Sequence, residues 1–454
     1  MNKYEQLAEH IESLVASGTL RPGDKLPSVR ETIAARSVSP STVFEAYYLL
    51  EARGVVEARP RSGYFVKAPV TARDEPPAAD PAPESREVLV NELVLQVLGS
   101  IRERDVVPIG SAFPNPELFP LARLARGMGS ALRELQPQRF LDDLAPGNPE
   151  LRRQIALRYM SSGVMASAEE IVITSGAREA LNLCLQALER LQLRAVEVAT
   201  HPREGVQLES LEAVLQRERV KACWFMPNFQ NPLGATMPVE RKRRLADLLA
   251  YHEVPLIEDD VYGELYFGLR RPPPAKSFDG GGWVMHCGSF SKSLAPGYRV
   301  GWAAAGRFAR KVEELKLSST LSVAVPSQLA VLQFLKEGGY DKHLRSLRAT
   351  LERQRQVAME GIHKHFPSAV RATQPEGGYF VWLELPETVD ALELHRLALS
   401  QNISVAPGQM FSADRRFRHH IRINYGHPRE EQLAPALKTL GRLVQAMAGS
   451  PKRA

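Results

Sequence analysis

Ser289-Phe290-Ser291-Lys292-Ser293-Leu294-Ala295-Pro296-Gly297-Tyr298-Arg299-Val300-Gly301 sets one lysine among small and hydroxylic residues, just ahead of a Pro-Gly turn. Phe290, Leu294, Ala295, Pro296 and Tyr298 surround it, which predicts a partly dry pocket. Desolvation lowers a lysine pKa and frees the neutral amine. That amine is the species that condenses with an aldehyde to a Schiff base. Ser289, Ser291 and Arg299 offer two hydroxyls and one forked cation to a phosphate. Taken alone, the stretch reads better as a strand-to-turn junction with one exposed lysine. Partners elsewhere in the chain decide between the two.

Three other stretches supply partners. Ile171-Val172-Ile173-Thr174-Ser175-Gly176-Ala177-Arg178 reads as a strand, a small-residue turn and a helix start, where backbone N–H groups form an anion site. Ala222-Cys223-Trp224-Phe225-Met226 reads as a buried strand, followed by the Asn231-Pro232-Leu233-Gly234 turn. Asn231 is placed to donate an amide hydrogen bond into a cleft, or else serves the turn alone. Val254 to Tyr262 is another strand end, with Asp259 and Tyr262 three apart and able to face one ligand. A carboxylate there would keep a pyridine nitrogen protonated, and a phenol would hydrogen-bond a ring hydroxyl. Strands alternating with helices, with polar residues at strand C-terminal ends, predict an open α/β sheet with its site at those ends.

Each of these signals is weak alone. The ordered set of Ser175-Gly176-Ala177, Asn231-Pro232-Leu233-Gly234, Asp259 with Tyr262, and Ser289-Phe290-Ser291-Lys292 with Arg299 resembles the fold-type-I, aspartate-aminotransferase-like pyridoxal 5'-phosphate (PLP) proteins. The resemblance implies that Lys292 is the catalytic, cofactor-binding lysine and that Asp259 pairs with the pyridine nitrogen. It implies that Tyr262 and Asn231 bind the ring hydroxyl oxygen, and that Gly176, Ala177, Arg178, Ser289, Ser291 and Arg299 hold the phosphate. Gly377–Leu383 and His420–Tyr425 look like strands of a small C-terminal domain, where Arg422 matches the arginine that grips an amino-acid carboxylate as a bidentate pair. A solvated strand arginine is the alternative reading of Arg422. His363, His365, His419 and His420 lack companion ligands and read as surface residues, so no metal is expected.

The first 67 residues form a separate pattern. Leu7, Ile11, Leu14 and Val15 share one helical face that ends at Gly18. Ser28 with Glu31 makes a capping box for a second helix, and Ser39 or Ser41 opens a third that Gly54 closes. Val55–Arg59, Pro60-Arg61-Ser62-Gly63 and Tyr64–Val66 read as a β-hairpin with a basic tip. Three helices and a hairpin make a winged helix-turn-helix. Its expected DNA face holds Ser28, Arg30, Ser39, Ser41, Thr42, Tyr47, Arg59, Arg61 and Gly63; a small protein-interaction domain is the alternative. The run of Leu20-Arg21-Pro22-Gly23-Asp24-Lys25-Leu26-Pro27-Ser28-Val29-Arg30, Val38-Ser39-Pro40-Ser41-Thr42-Val43 and Arg61-Ser62-Gly63-Tyr64-Phe65-Val66 resembles the GntR family of bacterial regulators. Pro40 stands where many relatives carry arginine.

Composition fits this organisation. A chain of 454 residues holds two or three domains, and a net charge of +6 permits a polyanionic partner without requiring one. No apolar run approaches a membrane span, and the polar start lacks a signal-peptide core. Cys184, Cys223 and Cys287 read as reduced, buried thiols of a cytoplasmic protein. The expected division is a head over 1–67, a Pro/Ala-rich solvated tether over 68–86, and a body over 87–454 with a large part over about 106–320 and a small part over about 321–454. Residues 88–98 form an expected helix, apolar nearly all round and buried against the body or a second subunit.

End to end, the chain resembles the MocR-type regulators. Two departures qualify the likeness. After Leu188 the chain passes almost at once to Ala195-Val196-Glu197-Val198-Ala199, which reads as a strand. The aminotransferase fold normally inserts a strand and helix before this point, about two dozen residues. That insertion supplies the ring that stacks on the pyridine. The body is therefore expected to lack one strand-helix unit and its usual stacking face. The second departure is Phe140 and Leu144 ahead of Gly147, where many aminotransferases place a tyrosine reaching the neighbouring subunit's phosphate. Three functions stay open: a homodimeric, PLP-sensing regulator of double-stranded operator DNA, with an amino acid as further effector; an active aminotransferase with an accessory head; and a DNA-binding dimer whose body no longer holds PLP.

Overall fold

The computed structural model describes residues 3–36, 38–59, 62–67, 73–79, 99, 105–135, 144–188, 194–412 and 415–449. The expected helix at 88–98, the wing tip Pro60-Arg61, Phe140 and the connection 189–193 lie outside them.

The head begins with α1 (Lys3–Ala16), α2 (Val29–Arg36) and α3 (Pro40–Ala52), followed by the antiparallel hairpin β1 (Val56–Arg59) and β2 (Gly63–Val66). Local chemistry sets the boundaries. Ser28 and Glu31 form the reciprocal capping box of α2, with Ser28 N–H donating to Glu31 Oε2 at 2.6 Å. Ser39 caps α3 by accepting from the Thr42 N–H at 3.2 Å. Pro40 takes the first helical position, where a missing N–H costs nothing. Leu7, Ile11, Leu26, Val43, Ala46, Tyr47, Leu50, Val56 and Val66 form the head core.

The body carries a five-stranded sheet in the order β3 (Ile171–Thr174), β9 (Gly301–Ala304), β8 (Val284–Ser289), β7 (Leu256–Asp259), β6 (Cys223–Phe225). β6, β7 and β8 are parallel, and β9 runs antiparallel to both neighbours. Every residue of β3, β7 and β8 is buried, as a sheet covered on both faces requires. Among the described residues the sheet ends at β6, where Trp224 is half exposed. The expected strand at 195–199 does not form. That segment is irregular and leads to a small hairpin of β4 (Thr200–His201) and β5 (Gly205–Val206). Among the described residues the segment forms no ladder with the open edge of β6. The small domain adds an antiparallel sheet in the order β10 (Arg371–Ala372), β11 (Phe380–Glu384), β13 (His420–Asn424), β12 (Ala406–Pro407).

A 27-residue helix, Gly339–His365, joins the parts. Its first turns meet the turn after β8: Tyr340 Oη lies 2.7 Å from Ser293 Oγ, and His343 Nε2 lies 2.9 Å from the Ser293 carbonyl. Its far end meets the head through Lys67–Glu360 and through Gln356, which lies against Gly54. The described part of the linker is no free tether. Arg73 donates to the carbonyls of Ile362, His363 and Phe366 at 3.0, 3.1 and 2.9 Å, satisfying the end of that helix, and also to Pro367 and Val370. Asp74 accepts from Ala372 N–H at 3.0 Å, and Glu75 pairs with Arg203 at 3.1 Å. A proline-rich composition reports extension, not solvation. None of the described helices is long and apolar enough to cross a membrane.

Candidate cofactor cleft and DNA-facing head

The carboxyl ends of β7 and β8 place Asp259 and Ser289 side by side, because the parallel register sets Asp259 opposite Cys287. Lys292 follows in the turn after β8. Its Nζ donates to the Ala112 carbonyl at 2.8 Å and lies 4.6 Å from the centre of the Phe113 ring. Burial brings its pKa down to about 8, helped by the nearby Arg422, Arg299 and Arg178 and opposed by Asp259. Asp259 is pushed up to about 7 by burial, against the Val261 backbone N–H that favours its charged form. Its Oδ1 is buried with no hydrogen-bond partner among the described residues, an uncommon and costly state for a carboxylate. Next to it, Asp260 is fixed by Asn228 at 3.0 Å, Arg271 at 2.6 Å and His286 at 3.2 Å, so the end of β7 is held rigidly.

An anion cup lies beside the lysine. Gly176 has φ +83° and precedes the helix Ala177–Leu188, whose N-terminus carries the positive end of the helix dipole. Arg299, itself left-handed at φ 54°, donates to the Ser175 carbonyl at 2.9 Å and reaches Ser291 Oγ at 3.4 Å. Ser289 Oγ donates to Ser291 Oγ at 3.0 Å. A Cβ on Gly176 would fall 2.6 Å from Arg299 Nη2, so only glycine leaves the guanidinium its place. Arg178 is exposed on the first turn of that helix.

Arg422, in the middle of β13, is almost wholly buried and not a solvated strand residue. It donates to Asn231 Oδ1 at 2.8 Å and to the carbonyls of Gly110 and Ser111 at 2.9 Å. It lies over the Phe380 ring at 4.4 Å, its Nε is unpartnered among the described residues, and burial lowers its pKa to about 10. Tyr262 is buried edge-on against Tyr379 and Phe380, and burial raises its pKa. The structure thus sets Lys292, Asp259, Tyr262, Asn231, Arg422 and the cup close to one another.

Sequence reasoning missed the irregular segment Gly110–Phe113, which forms one wall. It works through main-chain carbonyls, which accept from Lys292, Arg422, Asn424 and Tyr379. The Gly/Pro-rich run from Pro108 to Pro116 was its only signal. His427 was also missed; its Nδ1 lies 2.6 Å from Ser111 Oγ, and burial with Lys292 nearby lowers its pKa to about 4. His420, expected at the surface, instead stacks on Trp382 at 5.4 Å and is lowered to about 4 by burial.

On the head, Ser28, Arg30, Ser39, Ser41, Arg59 and Gly63 are exposed and Thr42 is half-buried. Arg59 is paired with Glu57 at 2.7 Å and lies over Phe65. Arg61 lies outside the described residues. Tyr47 is a correction: it is buried in the head core, with its hydroxyl 2.7 Å from both Thr32 Oγ1 and the Pro27 carbonyl. It cannot reach a groove.

The family described as "Bacterial regulatory proteins, gntR family" matches residues 3–66, and "Aminotransferase class I and II" matches residues 144–440. The chain belongs to the MocR-type regulators. This MocR-type chain is 45% identical over 466 residues to the uncharacterized HTH-type transcriptional regulator YdcR of Escherichia coli (strain K12), covering 98% of this chain and 99% of that protein. The alignment is longer than the 454-residue chain, so YdcR carries residues absent here. The body is 30% identical to 2-aminoadipate transaminase of Thermus thermophilus, over 78% of this chain and 94% of that one. Among solved structures, Pyrococcus horikoshii kynurenine aminotransferase, in complex with PMP, superposes with a TM-score of 0.72 at 27% identity, over 80% of this chain and 96% of that one.

Proposed function

We propose that this MocR-type chain is a cytoplasmic, homodimeric transcription regulator that binds double-stranded operator DNA through its head and senses PLP, alone or joined to an amino acid, through its body. The working division is 1–67 for the head, 68–86 for the linker and 87–454 for the body. The single observation that carries the reading is the helix Gly339–His365, which touches the residue next to Lys292 at one end and the head at the other. A ligand acts only as far as it favours one arrangement of heads over another, and a rigid element in contact with both sites is the kind of part that transmits such a bias.

The residues fit PLP. The orphaned Asp259 Oδ1 suits a protonated pyridine nitrogen, and the cradle of Gly176, Ala177, Arg178, Ser289, Ser291 and Arg299 suits a phosphate dianion. Bound PLP supplies an aldehyde carbon and an electron-withdrawing ring. Lys292 would offer its amine, neutral in an appreciable fraction near pH 8. Asp259 would hold the ring proton, and Asn231 and Tyr262 would orient the ring hydroxyl. Arg422 would turn from Asn231 to grip an amino-acid carboxylate.

The test is an operator-binding assay on the purified dimer with and without PLP, alongside its visible absorption spectrum. A band abolished by Lys292→Ala, together with a shifted affinity or footprint, supports the reading. A band with neither shift counts against sensing, and no band counts against PLP binding.

A further inference from the structure

α3 is the helix that a winged helix-turn-helix lays in the major groove. Between Pro40 and Ala52 it contains no Lys, Arg, Asn, Gln, Asp or His. Those side chains, with Glu, are the usual readers of base edges: Arg or Lys for guanine, Asn or Gln for adenine. Val43, Ala46, Tyr47 and Leu50 face the core. The outward stripe, at spacings of three, four and seven, is Ser41, Phe44, Glu45 and Tyr48. Phe44 is 43% exposed and Tyr48 58%. Their rings lie 6.3 Å apart and nearly parallel, at 25°. Two large rings left in water on a small head are a cost unless something apolar covers them.

Their place selects what covers them. The stripe continues directly from the exposed hydroxyls of Ser39 and Ser41 at the helix N-terminus. The exposed Arg30 on α2 and Arg59 on the hairpin are suited to phosphates. The major-groove edges that match the stripe are those of pyrimidines. Thymine presents its C5-methyl group to an apolar ring, and cytosine presents its N4 amino donor to a carboxylate. Purine edges find only the Ser41 and Thr42 hydroxyls on α3, which suit any base and select none.

We infer that α3 reads pyrimidine edges, with Phe44 and Tyr48 against thymine methyl groups and Glu45 accepting from a cytosine amino group. This rests on the DNA-binding reading of the head and goes beyond it by naming the readers and the base chemistry.

The test starts from a pool of random duplexes, from which the full-length dimer selects its operator. Each dT of that operator is then replaced in turn by dU, which removes only the methyl group. Wild-type affinity should fall about fourfold at each contacted position, the change that one buried carbon supports. Phe44→Ala or Tyr48→Ala should bind the dT and dU duplexes equally at that position. Glu45→Ala should relax the preference for cytosine at one position and leave the dU response intact. All three side chains are exposed, so the variants test contact and not folding, and the dU series needs no variant. A selected operator that binds equally with dU at every position overturns the inference and leaves the DNA-binding reading standing. A pool that yields no enriched sequence overturns both.

Discussion

Replacing Lys292 by methionine should make the apo body more stable while removing its covalent chemistry. The wild-type lysine is held at a pKa of about 8 against an ordinary 10.5, a difference that corresponds to about 3 kcal/mol. Between those values the unfolded chain binds more protons than the folded one, so stability rises with pH across that window and the full cost stands below pH 8. Methionine fills similar space without charge but loses the charged bond to the Ala112 carbonyl, worth about 2 kcal/mol. The net gain at pH 7 is about 1 kcal/mol. Trp224, Trp283, Trp302 and Trp382 all lie in the body, so tryptophan fluorescence during guanidinium unfolding reports it alone. The variant's midpoint should exceed the wild type's at pH 7, and the gap should shrink as pH rises toward 10. A variant that is less stable at pH 7, or a gap indifferent to pH, would refute the claim that Lys292 is held as a desolvated amine.

Three further outcomes follow from particular contacts. Gly176→Ala should push Arg299 from the Ser175 carbonyl and weaken PLP tenfold or more in an absorption titration, because its Cβ falls 2.6 Å from the guanidinium at a φ of +83°. Arg73→Ala removes a cation that bonds the end of the Gly339–His365 helix, at about 1.5–3 kcal/mol for charged hydrogen bonds, so limited proteolysis should cut near residues 73–79 roughly tenfold faster. Tyr47→Phe strips the hydroxyl from Thr32 and Pro27, should cost about 1–3 kcal/mol, and should speed hydrogen exchange across the head core without touching the outward face of α3.

The parts of this chain that were legible in its sequence are those where chemistry sits in side chains at element ends. Asp259, Ser289 and Lys292 were readable because parallel strands deliver polar residues to one edge of a sheet. The Gly110–Phe113 wall was not, because carbonyl oxygens leave no trace in residue type. Tyr47 was misplaced although the stripe Val43, Ala46, Tyr47, Leu50 was available; its polar tip suggested the surface, but Thr32 and Pro27 satisfy that tip inside. Arg422 was legible only through its match to a carboxylate-gripping arginine, because the carbonyls and ring brought to it from residues 110, 111 and 380 are invisible locally. The short connection after Leu188 was legible as a length, and among the described residues the sheet ends at β6.

The central claim is that the body's ligand changes what the head does. Its most direct test is the affinity of one purified sample for its selected operator, measured by fluorescence anisotropy at fixed salt, first without PLP and then with it. The wild-type curve or its footprint should move on adding PLP, and the Lys292→Met curve should not. Identical wild-type curves and footprints in the two conditions would contradict the claim.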